Sequence, residues 1–144
     1  MKSLIHAVVA SASITFGLLS SPVMADVAVI VNPGLGVPSL SEDDVQRLFL
    51  GKSKAFPNQQ TAVAVAQKDG SPVRAAFDKG ALKKTPNQMK AYWSQLIFTG
   101  RAVPPNEFAD DAEVKKLVAT NPNIVGYIDA ASVDATVKVV FTAK

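Results

Sequence analysis

The sequence predicts an α/β fold: a small, predominantly parallel sheet flanked by helices. Short apolar runs rich in valine and isoleucine alternate along the chain with amphipathic segments that begin at helix-capping residues. Several of the apolar runs end directly in a turn that leads into a helix, which is the usual connection in α/β proteins. In such sheets, ligands bind beyond the carboxyl ends of the strands.

The first 25 residues have the pattern of a secretory signal peptide. Lys2 precedes a mainly apolar run over 4–19, and the small residue Ala25 fits a cleavage site. A membrane anchor is the alternative, but serine, threonine and glycine dilute the run below what a bilayer span requires. We therefore expect a periplasmic protein with one domain over 26–144 and no membrane span after cleavage.

The first half of that domain contains two strand candidates and one helix candidate. Residues 27–31 are continuously apolar and stop at Asn32, as expected of a buried strand that ends in a loop. Ser41 and the acids that follow it predict a short helix ending near Gly51. Residues 61–66 carry β-prone valines and predict a second buried strand.

Three more helices are predicted from their starts. Pro72 suits the first position of a helix. Proline has no amide hydrogen, and an amide at that position would have no acceptor within the helix. Thr85 and Gln88 have the spacing of a capping box and open a helix that ends before Gly100, and Asp110 caps the last helix. The remaining elements are two strands at 124–128 and 136–141 and a helical turn at 130–133.

Large apolar side chains form a stripe along the helix that Thr85 caps. They recur at helical spacing, so the pattern indicates a packing face rather than a ligand cage. The stripe consists of Met89, Tyr92, Trp93, Leu96 and Ile97.

The composition excludes several kinds of chemistry. The sequence has no cysteine, and its one histidine, His6, lies in the predicted signal peptide. Disulfides, thiol and imidazole catalysis and zinc sites built on Cys and His therefore lose their usual parts. Removal of Lys2 lowers the formal net charge from +3 to +2. The remaining charges are mixed in sign along the sequence and form no basic stripe that would bind nucleic acid. We expect a non-enzymatic binding or interaction protein with no catalytic residues, cofactor or metal.

The turn that leads to Pro72 is the strongest candidate for a site. Asp69 and Gly70 supply a tight turn, Ser71 caps the helix, and the amides of Val73 and Arg74 are free of intrahelical acceptors. A helix start of this kind attracts anions. The alternative is that Asp69 and Ser71 satisfy those amides themselves.

Two neighbouring residues bear on this site. Arg74 opposes the helix dipole in the first turn, although Asp78 four residues on would offset it. In a parallel sheet the loops after Val31, Ala66 and Ile128 share one edge. On that basis Asn32 is a further contributor.

Four segments together resemble the phosphate-binding protein of the bacterial phosphate ABC transporter. They are Phe49-Leu50-Gly51-Lys52, Val63-Ala64-Val65, Asp69-Gly70-Ser71 and Asn123-Ile124-Val125-Gly126-Tyr127-Ile128-Asp129. The resemblance covers most of 26–144 but only about one lobe of a two-lobed protein. It implies one lobe of a type II periplasmic binding protein, here a phosphate-binding-protein-like domain.

The resemblance also implies which residues would contact phosphate. The family's turn is approximately R-S-D-G-S-G-T, so Asp69, Gly70 and Ser71 match it. Gln67 stands where the family has arginine, Pro72 replaces its second glycine, and Val73 replaces its threonine. Each replacement removes a donor, so the resemblance implies at most weak phosphate or oxyanion binding by Gln67, Asp69, Gly70, Ser71, Val73, Arg74 and Asn32.

Two functional hypotheses follow. In the first, the protein is an exported substrate-binding-protein-like lobe that takes phosphate or another oxyanion and serves an ABC permease. In the second, it is a non-transport interaction module for an envelope receptor, sensor or porin, or for a second copy of itself. Apolar loop residues would mark that interaction surface: Phe56, Val103, Pro104, Pro105 and Phe108.

Overall fold

The computed structural model describes residues 26–144, so the predicted signal peptide lies outside the described residues. One five-stranded sheet carries helices on both faces, which confirms the predicted α/β class. The strands are β1 (Val27–Val31), β2 (Val63–Gln67), β3 (Asn106–Phe108), β4 (Ile124–Asp129) and β5 (Lys138–Ala143). The helices are α1 (Glu42–Phe49), α2 (Pro72–Gly80), α3 (Pro86–Phe98) and α4 (Asp111–Thr120), with 3-10 turns at Pro33–Leu35 and Ala130–Ser132.

The capping residues start the helices where the sequence predicts. Ser41 Oγ accepts a hydrogen bond from the Asp44 amide at 3.0 Å. Thr85 and Gln88 form the reciprocal capping box, at 3.2 and 2.9 Å. Pro72 is the first residue of α2. Each cap satisfies an amide that the helix itself leaves without an acceptor, which fixes the register of the helix start.

Four of the five strands point the same way, in the spatial order β3-β2-β4-β1-β5. β2 is parallel to β3 and to β4. β1 is antiparallel to both of its neighbours, β4 and β5, so these two strands run in the same direction. The sheet is therefore mixed: four strands share one direction, as the predicted predominantly parallel sheet expects, but two of the four strand pairs, those of β1, are antiparallel. The reversed strand β1 lies between β4 and the edge strand β5.

The reversal of β1 corrects the prediction that Asn32 lies beside the turn. Val31 pairs with Val125 near the start of β4. The loop after Val31 therefore leaves the sheet at the side where β2 and β4 begin, opposite to the side where those two strands end. Asn32 Nδ2 donates there to the Val118 and Ala119 carbonyls at 3.3 and 2.9 Å. This side chain binds the end of α4 and cannot reach the turn.

The sheet is buried on both faces. Val27, Val29 and Val31 of β1 face a core shared with α1, α2 and α3, whereas Ala28 and Ile30 face a second core under α4. All five residues of β1 are at most 2% exposed. The continuous apolar run is thus explained by alternation between two covered faces.

The stripe on α3 packs only in part. Met89 and Trp93 are buried in the first core, and Tyr92 and Leu96 are half-buried against it. Ile97 is 55% exposed, so the predicted packing face ends at Leu96, two residues before the helix does.

Three elements differ from the prediction. β2 begins at Val63 rather than at 61 and is only partly buried, with Val63 46% exposed. β3 was expected to be loop, because its three residues, Asn106-Glu107-Phe108, show no apolar alternation. β5 begins at Lys138 rather than at 136, because Asp134 binds the Thr136 amide at 2.9 Å in a local turn.

We expect Gly126→Ala to lower the free energy of unfolding by about 1–3 kcal/mol, the usual cost of overpacking a core. A Cβ at Gly126 would lie 2.7 Å from Val114 Cγ1 on α4 and 3.1 Å from Val65 Cγ2. Urea unfolding followed by tryptophan fluorescence measures the loss.

The double variant with Val114→Ala is the control. It removes the obstructing methyl groups, so it should lose less stability than the sum of the two single variants. Strict additivity would show that the helix does not press on the strand at Gly126.

Candidate functional site

The predicted anion-binding turn joins the end of β2 to the start of α2. Gly70 has a φ of +87°, a conformation that suits glycine, and this brings Ser71 into position to cap α2. Ser71 Oγ accepts from the Arg74 amide at 3.3 Å, and Asp69 Oδ1 accepts from the Gly70 amide at 3.1 Å. The turn therefore satisfies two of its own donors, as the alternative interpretation expected.

Of the amides in the first turn of α2, that of Val73 remains unpaired, and in the preceding turn the Asp69 amide also has no acceptor among residues 26–144. The amides of Lys68 and Ser71 bind the carbonyls of Phe108 and Lys68 at 2.9 and 3.1 Å. Within 26–144 the Val73 amide has no acceptor within hydrogen-bonding distance. An anion at this helix start would thus begin with one free backbone donor.

Gln67 occupies the core of the turn and is only 2% exposed. Its Oε1 accepts from Ser71 Oγ at 2.7 Å. Its Nε2 donates to Asp111 Oδ1 at 2.5 Å and to the Tyr127 carbonyl at 3.3 Å. Both ends of the amide, and the hydroxyl of Ser71, are committed to partners within the protein.

Asp111 extends this network to the start of α4. Its Oδ2 accepts from Ser132 Oγ at 2.8 Å and from the Asp129 amide at 3.3 Å. The backbone amide of Gln67 donates to Tyr127 Oη at 3.1 Å. The network therefore ties the ends of β2 and β4 to the first turn of α4.

Arg74 is paired with two carboxylates. Its Nη1 donates to Glu107 Oε1 on β3 and, at 3.2 Å, to the Gln67 carbonyl. Its Nε lies 3.8 Å from Asp78 Oδ2. Burial lowers the pKa of Arg74. The hydrogen bond to Glu107 and the negative charges of Glu107 and Asp78 raise it by more, so the pKa of Arg74 is above its usual value. The guanidinium stays charged, with its charge offset within the chain.

Asp78 is a buried acid, 6% exposed. Burial raises its pKa from 3.8 to about 6, and the attraction of Arg74 offsets only part of this. Phe77, beside it, stacks on Tyr127 with ring centroids 4.0 Å apart. Burial also raises the pKa of Tyr127, which keeps the phenol protonated while it accepts the hydrogen bond of the Gln67 amide.

Two cavities flank the start of α2. The α2–α3 cleft, about 540 Å³, is lined by Arg74, Asp78, Trp93, Pro104 and Glu107 among others. The α2–α4 cleft, about 550 Å³, is lined by Gln67, Lys68, Val73, Asp111 and Ser132 among others. Gly70, Ser71 and Pro72 separate them.

The two clefts divide the predicted site residues. Gln67, Asp69, Gly70, Ser71, Val73 and Arg74 lie together at the turn, but the free amide of Val73 and the charge of Arg74 face different cavities. Asn32 is at the opposite edge of the sheet. Glu107, Asp111 and Tyr127 were not predicted, and the acidic start of α4 was the one visible signal among them.

The apolar loop residues predicted for an interaction surface are also divided. Phe56 is 2% exposed and packs in the core, which excludes it. Pro104, Pro105 and Phe108 are half-buried. Val103 is 83% exposed.

The strongest apolar exposure lies at the end of α3. Phe98 is 92% exposed and follows Ile97 directly. Residue type and spacing do not single out Phe98, because it falls within a helix whose other aromatic residues pack.

No group of three or more His, Cys, Asp and Glu side chains among residues 26–144 is arranged to hold a metal ion. No helix of the described chain is long and apolar enough to cross a bilayer.

We expect the stability of the protein to depend on pH through Asp78. In the unfolded chain this acid loses its proton near pH 4, but in the folded protein near pH 6. The folded state binds the proton more tightly between these values, so the contribution of Asp78 is fully present below pH 4 and is lost as the pH rises through 6.

Asp78→Asn removes this titration. The free energy of unfolding of the variant minus that of the wild type should rise between pH 4 and pH 7 by about 1–3 kcal/mol, a range that allows for solvent screening. Urea unfolding of both proteins at the two pH values measures it, and other groups cancel in the difference. A difference that is constant or falls with pH would contradict the assignment.

The sequence matches no family model. The curated phosphate-binding protein PstS of Bacillus subtilis (strain 168) is 30% identical to it over 107 residues, which are 70% of this chain and 30% of that protein. The chain thus spans less than a third of the length of this relative.

Solved structures show the same relationship in the fold. An ABC-type phosphate transport receptor from Vibrio cholerae superposes with a TM-score of 0.64 at 20% identity, over 81% of this chain and 46% of that one. A putative phosphate ABC transporter substrate-binding protein with bound phosphate from Clostridium perfringens gives 0.61 at 22% identity, over 81% and 45%. PstS from Borrelia burgdorferi gives 0.54 at 14% identity, over 74% and 42%. The chain is therefore a relative of the substrate-binding proteins of phosphate ABC transporters, with the fold of one periplasmic-binding-protein lobe.

Proposed function

We propose that this chain is an exported, non-enzymatic relative of phosphate ABC transporter substrate-binding proteins that binds phosphate or another oxyanion at most weakly. The observation that carries the proposal is the commitment of the donors at the turn. Ser71 Oγ donates to Gln67 Oε1 at 2.7 Å, and Arg74 is held by Glu107. An incoming anion would have to displace both contacts before it gained new ones.

The charges around the α2–α3 cleft also disfavour the binding of an anion. Asp69, Asp78 and Glu107 line it together with Arg74 and Lys90, so carboxylates outnumber cations. A phosphate that enters the cleft meets repulsion from three acids. The α2–α4 cleft offers the Val73 amide and Lys68 instead, next to Asp110 and Asp111. In both clefts the cations lie beside carboxylates.

A weak site still fits the scaffold. The start of α2 keeps the helix dipole, one free amide and Lys68, which together favour an anion over neutral ligands. The relationship to phosphate-binding proteins supports phosphate as the first ligand to test, and an ABC permease as the first transport partner. The periplasm remains the proposed location.

We expect titration of the protein with inorganic phosphate in a calorimeter to give a dissociation constant no tighter than about 0.1 mM. Glu107→Gln should tighten binding about fivefold, because it removes the carboxylate that competes for Arg74 at a half-exposed position. Ser71→Ala in the Glu107→Gln background should weaken it again.

Asp43→Asn is the matched control. It also removes one negative charge, from an exposed pair with Arg47 on α1 outside both clefts, so it should leave phosphate binding unchanged. Saturable sub-micromolar binding by the wild type, lost in Ser71→Ala, would replace the weak-site proposal with that of a phosphate scavenger.

A second function is favoured by the exposure of Phe98 and Val103, at 92% and 83%. We propose as the alternative that the protein is an interaction module for an envelope receptor, sensor or porin, or for a second copy of itself. Two large apolar side chains left in water at a rigid helix end are a cost that a partner surface would offset.

Sedimentation and affinity capture from envelope extracts test this alternative. We expect Phe98→Ser to reduce self-association or capture of a partner, whereas Val139→Ser on β5, at a position 37% exposed, should not. A strictly monomeric protein that enriches no envelope partner would contradict the interaction role.

A further inference from the structure

The exposed apolar side chains at the end of α3 form a defined surface. Ile97, Phe98 and Val103 are 55%, 92% and 83% exposed. Ile97 and Val103 line the same cavity, and Phe98 is next to Ile97 in the chain. We name these three side chains, with Lys54 and Arg101 beside them, the α3-end patch.

The patch is concave. Ile97 and Val103 border a cavity of about 420 Å³ whose floor contains Gly51 and Ala102. The cavity is large enough for a bulky side chain, and its walls are mainly aliphatic. Phe98 stands beside it with its ring in solvent.

The backbone around the cavity is held in place by contacts that do not involve the exposed side chains. Tyr92 Oη donates to the Leu50 carbonyl at 2.6 Å, which ties α3 to the loop after α1. Gly51 has a φ of +74°, and a Cβ there would lie 3.3 Å from both Trp93 and Ala102. The Arg101 amide donates to the Leu96 carbonyl at 3.0 Å and closes the helix end. The cavity is therefore preformed, and a ligand would not have to order it.

The charge at the rim has one sign. Lys54 and Arg101 line the cavity, and no acidic residue does. Over residues 26–144, neither cation has a carboxylate within 4.0 Å. An apolar cavity bordered by two unpaired cations is complementary to an apolar side chain flanked by carboxylates.

We propose that the α3-end patch docks an acidic amphipathic segment of a partner protein, which places one large apolar side chain in the cavity and its carboxylates against Lys54 and Arg101. The proposal rests on the interaction role above and specifies the chemistry of the partner. Phe98 packs against the apolar face of the bound segment. A lipid surface fits less well, because it would leave the concave cavity without a side chain to fill it.

The test uses a fluorescein-labelled helical peptide with a leucine face bordered by glutamates. Fluorescence anisotropy with the purified protein should show saturable binding that weakens as salt is added. A peptide with lysines in place of the glutamates should bind at least about tenfold more weakly, since it would face Lys54 and Arg101 with like charge.

Two variants examine the two halves of the patch. Phe98→Ser with Val103→Ser, and Lys54→Glu with Arg101→Glu, should each reduce affinity for the acidic peptide at least about tenfold. All four side chains are exposed, so thermal unfolding should show that the variants fold. Lys116→Glu, an exposed charge reversal on α4, is the matched control and should bind as the wild type does.

Three results would overturn the proposal. They are no saturable binding to the acidic peptide, equal binding to the lysine peptide, and sensitivity of binding to Lys116→Glu. Phosphatidylglycerol vesicles that bind through the same side chains while the peptide does not would assign the patch to membranes. Concentration-dependent dimerisation lost in Phe98→Ser would assign it to a second copy. In those two cases the protein would keep its proposed interaction role, but the proposal that its partner is an acidic segment would be wrong.

Discussion

The hydrogen bonds of the Gln67 side chain hold the candidate site in its present form. One amide group connects the hydroxyl that caps α2 with the carboxylate that begins α4, and it does so almost without contact to water. A buried amide must keep both its donor and its acceptor paired, because leaving either unpaired costs on the order of 1–3 kcal/mol. The arrangement of Ser71 and Asp111 is therefore imposed by the interior of the protein.

A consequence is that charge at the turn is balanced locally. Arg74 emerges from the first turn of α2, where the helix dipole disfavours it, and is stabilised by Glu107 on one side and Asp78 on the other. Glu107 and Asp78 thus supply the negative charge that the guanidinium requires from within the chain. The same residues thus explain both the stability of the turn and its low expected affinity.

The sequence was informative where the cause is local. The caps at Ser41, Thr85 and Asp110 are short-range hydrogen bonds, so they could be predicted from residue type and spacing. The direction of β1 could not, because a continuous apolar run is equally compatible with either direction between two covered faces. The misplacement of Asn32 followed from that.

The partners of the site were hidden for a similar reason. Glu107 meets Arg74 across 33 residues of chain and lies on a strand of three residues without a sequence pattern. Gln67 could be recognised as a departure from the family's arginine, but its bond to Asp111 depends on how β2 and α4 are brought together. Contacts set by the tertiary fold cannot be inferred from spacing along a single chain.

The position of β1 between β4 and β5 has a consequence for how the protein is made. β1 is near the beginning of the described chain, and one of its two partners, β5, is at its end, so the sheet cannot be completed until nearly the whole chain has emerged. Pairing over so long a separation is slow relative to local folding. Until β5 arrives, five apolar residues form an open edge on which another unfolded chain can add a strand. The most hydrophobic strand among residues 26–144 is thus also the last to be protected from aggregation, which makes a holding chaperone during synthesis advantageous to this chain.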